Sequence, residues 1–232
     1  MNQLRQNTSR AKAAIALIWV VMGFEIISLI SGYFQYDLLL TIEDGINVSA
    51  TKIAANDIRE QSIAWLMVLA SIVSGITFIQ WFRRAYYNLH QRCEYLMYSE
   101  GWAAGSWFVP IISLFRPLQI MKELYEQTNY YLLSKGAQLK RELTTGLLGT
   151  WWTLWILNNV LGQIVFRMSV DPDTFGQIKA ASMLGMVGNI LGAILCVVTV
   201  KVVKDYSEAE TVLFELKEED AIFEEGYSII NE

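Results

Sequence analysis

The chain is poor in the residues that build most catalytic and metal centres. It has one histidine, His90, two cysteines, Cys93 and Cys196, and three prolines in 232 residues. A single histidine excludes haem held by two histidines of one chain. No zinc spacing, H-E-x-x-H, phosphate-binding G-x-x-x-x-G-K-[ST] or dinucleotide-binding G-x-G-x-x-G occurs. Gly105-Ser106 is only a fragment of a nucleophile motif. The chain is therefore expected to be non-enzymatic, without cofactor or metal. Cys93 falls in a basic loop and Cys196 in an apolar run, so both are expected as free thiols.

Charge is also scarce. Asp, Glu, Lys and Arg make up 18% of the chain, against about 25% in an average soluble domain, and 53% is hydrophobic. Mean hydropathy is +0.31. The apolar residues lie in four runs, 13–32, 63–82, 144–166 and 180–200. Each is near the ~20 residues needed to cross ~30 Å of hydrocarbon. The first run follows Arg5, Arg10 and Lys12 and resembles a signal sequence. It is too long for one, contains Glu25 and lacks a small-residue exit, so it reads as a retained span.

The net charge of −5 is concentrated after Lys204, in Asp205, Glu208, Glu210, Glu215, Glu218, Glu219, Asp220, Glu224, Glu225 and Glu232. Without a basic nucleic-acid-reading module, nucleic acid is not an expected partner. Lys and Arg gather before the first run, after the second (Arg83, Arg84, Arg92), before the third (Lys122, Lys135, Lys140, Arg141) and after the fourth (Lys201, Lys204). The positive-inside rule then gives four spans with both termini in the cytoplasm.

That topology constrains 101–121. The segment is apolar, but Pro110 and Arg116-Pro117 break it. As a fifth span it would put the basic stretches at its ends on opposite sides, so it is expected to be re-entrant or interfacial. Pro117 suits the first turn of a helix, and 118–133 reads as an amphipathic helix on the inner face. The expected architecture is all-α: a polytopic four-transmembrane-helix bundle over 1–204 with a Pro-broken segment between spans two and three. Residues 205–232 form an acidic cytoplasmic tail. Between the first two runs, 38–42 either extends the first helix or turns at the surface, and Glu43-Asp44-Gly45 reads as a break.

Within this frame a few polar residues stand out. Glu25 is the only acid well inside a run, where an ionisable group needs a partner or water. Its structural partners are expected among Arg116, Asn158 and Asn189; the alternative is a transport or proton-relay role. Trp81, Arg84, Ala85 and Asn88 fall at i, i+3, i+4, i+7 and share one helix face. That face suits docking of the broken segment, or a lipid phosphate or other anion. The broken segment supplies Trp107, Pro110, Arg116 and Pro117. The third run carries Asn158 and Asn159, and the fourth carries Asn189 with Gly185, Gly188 and Gly192, a small-residue stripe for helix packing.

The stretch Trp81, Arg84, Ala85, Asn88 and Leu89, followed by Trp107, Phe108, Pro110, Arg116, Pro117 and Glu123, resembles an uncharacterised bacterial integral-membrane family, domain of unknown function 4328. The resemblance covers roughly 63–200. It departs at Ser113, where the family often has Asn. It implies a four-span fold in the bacterial cytoplasmic membrane and no activity. The functional expectation is a bundle that binds membrane lipid, or a protein partner through its cytoplasmic face or acidic tail. The alternative is a small oligomeric transporter or channel using Glu25 and the intramembrane amides.

Overall fold

The computed structural model describes residues 4–137, 139, 143–170, 172 and 174–230, with backbone alone over 217–230. Lys140 and Arg141 of the charge bias lie outside the described residues, as do Glu232 and the side chains of Glu218, Glu219, Asp220, Glu224 and Glu225.

Six α-helices and a 3-10 turn form, with no strand among the described residues. Helix α1 is Thr8–Glu43 and α2 is Ala50–His90. Gly45 ends α1 in the left-handed region (φ 76°), where an L side chain is disfavoured. Its N–H bonds to Ile42 O (3.1 Å) and that of Ile46 to Thr41 O (3.2 Å), closing the helix end. So 38–42 extends the helix, and the break falls at the expected Asp44-Gly45. Ser49 Oγ accepts the Lys52 N–H (3.3 Å) and caps α2.

The Pro-containing segment forms short α3 (Glu100–Gly105), a 3-10 turn (Ile111–Leu114) and α4 (Arg116–Ser134). Ile111 sits at φ 47°. That is a strained position for a β-branched residue, and it directly follows Pro110. Pro117 occupies the first turn of α4, as expected of an N-terminal proline. Helix α5 is Gly146–Val170 and α6 is Phe175–Ile230, capped by Thr174 Oγ1 accepting from Gln177 N–H (3.2 Å). Helix α6 runs through Lys204 without a break, so the acidic stretch begins inside a helix.

Among the described residues, three helices are long and apolar enough to cross a membrane: α1, α2 and the Phe175–Leu216 part of α6. Helix α5 has the length, but Trp151, Trp152, Trp155, Asn158, Asn159 and Gln163 dilute its apolar character.

The chain divides into two units. Unit 1 is Met1–Ile15, Ile76–Gly149 and Lys201–Glu232; unit 2 is Ala16–Gly75 and Thr150–Val200. Unit 1 has a core of the soluble kind: Phe82, Tyr86, Leu89, Ile120, Met121, Leu124, Tyr125, Val202, Val203 and Tyr206 are fully or almost fully buried. Unit 2 reverses that pattern. Ile26, Ile27 and Ile30 on α1, Trp65, Leu69 and Ile72 on α2, Leu157 and Val160 on α5, and Val187 and Ile194 on α6 are exposed. Apolar surface on that scale is unfavourable in water and neutral against hydrocarbon. Unit 2 therefore carries the character of membrane-embedded helices.

Candidate functional site

In unit 1, the Trp81–Asn88 face of α2 is buried except at its cation, and its Trp81 and Asn88 meet the segment before α1 and α6. Trp81, Ala85 and Asn88 are buried and Arg84 is half-buried. Asn88 is the centre of a polar knot. Its Nδ2 donates to Glu210 Oε1 (2.7 Å) and to the Arg5 carbonyl (2.9 Å), and its Oδ1 accepts the Arg5 N–H (2.9 Å). Asn7 Nδ2 donates to Glu210 Oε2 (3.0 Å) and to the Trp81 carbonyl (3.2 Å). The knot pins the segment before α1 to α2 and α6. Trp81 contributes packing, edge-on to Tyr206 (6.1 Å between centroids).

Glu210 lies beyond the apolar run that ends at Val200, and only 4% of its surface is exposed. It was expected in a solvated tail. The signal that places it inside was present: Tyr206, Glu210 and Leu213 recur at i, i+4, i+7 along one face, and all three are buried. Burial pushes its carboxyl up to about 7, against the opposing pull of the Asn88 and Asn7 donors and the Arg84 charge. The folded state then binds more protons than the unfolded state, whose carboxyl titrates near 4.5. Its contribution to stability is therefore full below pH 4.5, falls as pH rises toward 7, and is gone above that. Thermal unfolding between pH 5 and 8 checks this. Glu210→Gln should match wild type near pH 5 and exceed it at pH 8.

A second knot closes on Glu123. Its carboxylate accepts from Tyr86 Oη and from the Met97 N–H, both at 2.6 Å. This fixes the stretch between α2 and α3, where His90 Nε2 meets the Tyr98 carbonyl (2.9 Å). Burial pushes the Cys93 thiol up, away from a reactive thiolate.

The cations of unit 1 are arranged differently from its acids. Arg5 lies over the Tyr87 ring (4.3 Å) and Arg10 Nη1 donates to the Gln80 carbonyl (3.1 Å). Arg83 pairs with Glu100 (3.0 Å). Arg84 makes no hydrogen bond or ion pair among the described residues. Burial, then the charges of Arg10 and Arg5, hold its guanidinium below its usual range. Arg116 stacks on Tyr98 (4.5 Å) and Phe115 (5.6 Å). Trp107 packs edge-on to Phe78 and Phe82 (5.7 and 6.5 Å), and Pro117 is buried while Pro110 is exposed. Phe108 and Ile111 are 74% and 76% exposed, and Leu114 also faces outward.

In unit 2, Glu25 is buried and its partner is Asn189. With the amide in its bonding orientation, Nδ2 donates to Glu25 Oε2 (3.1 Å) and Oδ1 accepts from the Leu29 N–H (3.2 Å). Neither Asn158 nor Asn159 joins them; Asn159 Nδ2 bonds back to the Trp155 carbonyl (2.8 Å) in its own helix. The glycine stripe serves two neighbours. Gly185 and Gly188 face Val165 and Leu161 of α5, whereas a Cβ on Gly192 would overlap the Glu25 carboxyl. A cluster absent from the sequence reading joins Arg59 to Ser31 Oγ (2.8 Å), Asn56 Oδ1 (2.6 Å) and Glu60 Oε1 (3.2 Å). No group of three or more potential metal-ligating side chains occurs among the described residues.

No curated protein and no solved structure matches the chain. A family profile does, that of a domain of unknown function (DUF4328), over residues 44–208. The match takes in Trp81 to Glu123, including the arginines of α2 and the Pro-broken segment, and extends to Tyr206 on α6. The chain belongs to the DUF4328 family.

Proposed function

We propose that the protein is a non-catalytic four-span bundle of the bacterial cytoplasmic membrane that holds anionic lipid headgroups at its cytoplasmic face. In this reading α5 is the fourth span and both termini are cytoplasmic. The Pro-broken segment lies in the inner interface. The observation that carries the reading is the group of guanidiniums in unit 1. The charges of Arg10 and Arg5 bear on Arg84, and no carboxylate is bonded to Arg84 among the described residues. A planar fork left open in this way matches a phosphate or phosphatidylglycerol headgroup. The exposed Phe108, Ile111 and Leu114 support the interfacial placement, since such side chains gain by entering the acyl boundary.

Two measurements test it. A reporter fused after Ser134 should be cytoplasmic; an external reporter contradicts the topology. In mixed micelles, saturating phosphatidylglycerol should raise the unfolding temperature by about 5–10 °C over phosphatidylcholine. Arg10→Gln with Arg84→Gln should remove most of that shift. Equal stabilisation by both lipids, or a full shift in the double variant, contradicts the headgroup assignment.

A further inference from the structure

Unit 2 contains a cleft of about 740 Å³ between α1, α2, α5 and α6. This is within the range of small-molecule sites. Its polar wall includes Asp57, Glu60, Gln35, Gln61, Ser28 and Asn189. Its apolar wall includes Met67, Met168 and Met186, unbranched side chains that adapt to ligand shape. Among the described residues, no lysine or arginine lines it. Lipid-facing helices have no need of such a wall, because each polar group must find a partner or water.

The ionisable side chains that line the polar edge of the cleft are Asp57 and Glu60. Asp57 is exposed, and among the described residues its carboxylate meets only the Asn56 amide at a long 3.5 Å. Glu60 is paired with Arg59, which lies outside the lining, and also accepts from Ser31, so Asp57 is the lining carboxylate without a cationic partner among the described residues. On α6 the lining includes Asn189, whose amide bonds to the Glu25 carboxyl. A ligand there meets carboxylates, amides and a thioether-rich surface. A phosphate or carboxylate would be repelled, whereas an ammonium would be attracted.

We propose that this cleft is a binding site for a small organic cation, an amine or quaternary onium with an apolar body. The proposal does not depend on the headgroup reading of unit 1, and the variants that test the two share no residue.

The test uses the full chain in phosphatidylcholine nanodiscs, with empty discs as background. Equilibrium dialysis of tetraphenylphosphonium should show saturable binding of one per chain. Its isosteric anion, tetraphenylborate, should bind no better than to empty discs. Asp57→Asn, at an exposed position that leaves folding unchanged, should weaken binding about tenfold, the size of effect a lost charge pair gives. Ala64→Phe, on the lining of α2, should weaken it by occluding volume. An unaltered unfolding temperature keeps both variants informative. Absence of saturable binding, equal uptake of the anion, indifference to both variants, or a lipid acyl chain that the probe does not displace would each overturn the proposal.

Discussion

Asn88→Leu is expected to cost about 3–5 kcal/mol and to unfold unit 1 well before unit 2, because it strips partners from a buried carboxylate and from two backbone groups at once. Leucine keeps the branching of asparagine but is bulkier, so some overpacking adds to the cost at this fully buried site. The main loss is chemical. Glu210 keeps only Asn7, and the Arg5 N–H and carbonyl lose their bonds within the fold. Hydrogen exchange resolved by segment gives the readout. Protection should fall in 4–15, 76–90 and 201–213 while 20–35 stays protected. Arg84→Gln provides the contrast: its guanidinium makes no hydrogen bond among the described residues and acts on Glu210 through charge alone, so stability without anionic lipid should fall far less than in Asn88→Leu. Combining Asn88→Leu with Glu210→Leu should recover part of the loss, since replacing both partners removes the buried charge along with its donor.

Gly192→Ala is the second large effect, and it lies in unit 2. The added Cβ overlaps the Glu25 carboxyl, which has Asn189 on its other side. The carboxyl must leave its partner or the helices must part. The expected cost is about 1–3 kcal/mol, the usual range for overpacking. Glu25→Ala alone frees the space but leaves the Asn189 amide without its acceptor. In the double variant the clash is absent, so Glu25→Ala with Gly192→Ala should be more stable than Gly192→Ala alone. That non-additivity is the signature of direct contact. Gly188→Ala, whose Cβ would sit in ordinary contact with Leu161 (3.6 Å), should be close to neutral. Glu25→Gln, which keeps a hydrogen-bonding head, should fold and express.

The parts of this molecule that follow periodic rules were readable in the sequence. The apolar runs became helices, Asp44-Gly45 became the turn, and Pro117 began α4. That Trp81, Ala85 and Asn88 share one face followed from i, i+3, i+4, i+7 spacing, though its burial did not, and Asn189 was among the partners expected of Glu25. Two kinds of information were not readable. Composition treats carboxylates as solvated, so the acid-rich stretch after Lys204 hid Glu210 despite its place on an apolar stripe. Long-range pairing has no local signature. Nothing near Asn7 or Arg5 announces that Asn88, more than 80 residues on, accepts and donates there. The Arg59–Ser31–Glu60 cluster escaped for the same reason: Ser31 lies in the first apolar run, and Arg59 and Glu60 lie before the second, 28 and 29 residues on. The glycine stripe gave the correct residue type for close approach, while the identity of the neighbour at Gly192 depended on which α1 residue faced it.

The measurement closest to the central claim is native mass spectrometry of the protein released from nanodiscs of mixed phosphatidylglycerol and phosphatidylcholine. The account predicts that wild type retains phosphatidylglycerol at a discrete stoichiometry, and that Arg10→Gln with Arg84→Gln loses it while staying folded. Retention in proportion to the bulk lipid, or retention unchanged in the double variant, would contradict a headgroup site built from these arginines.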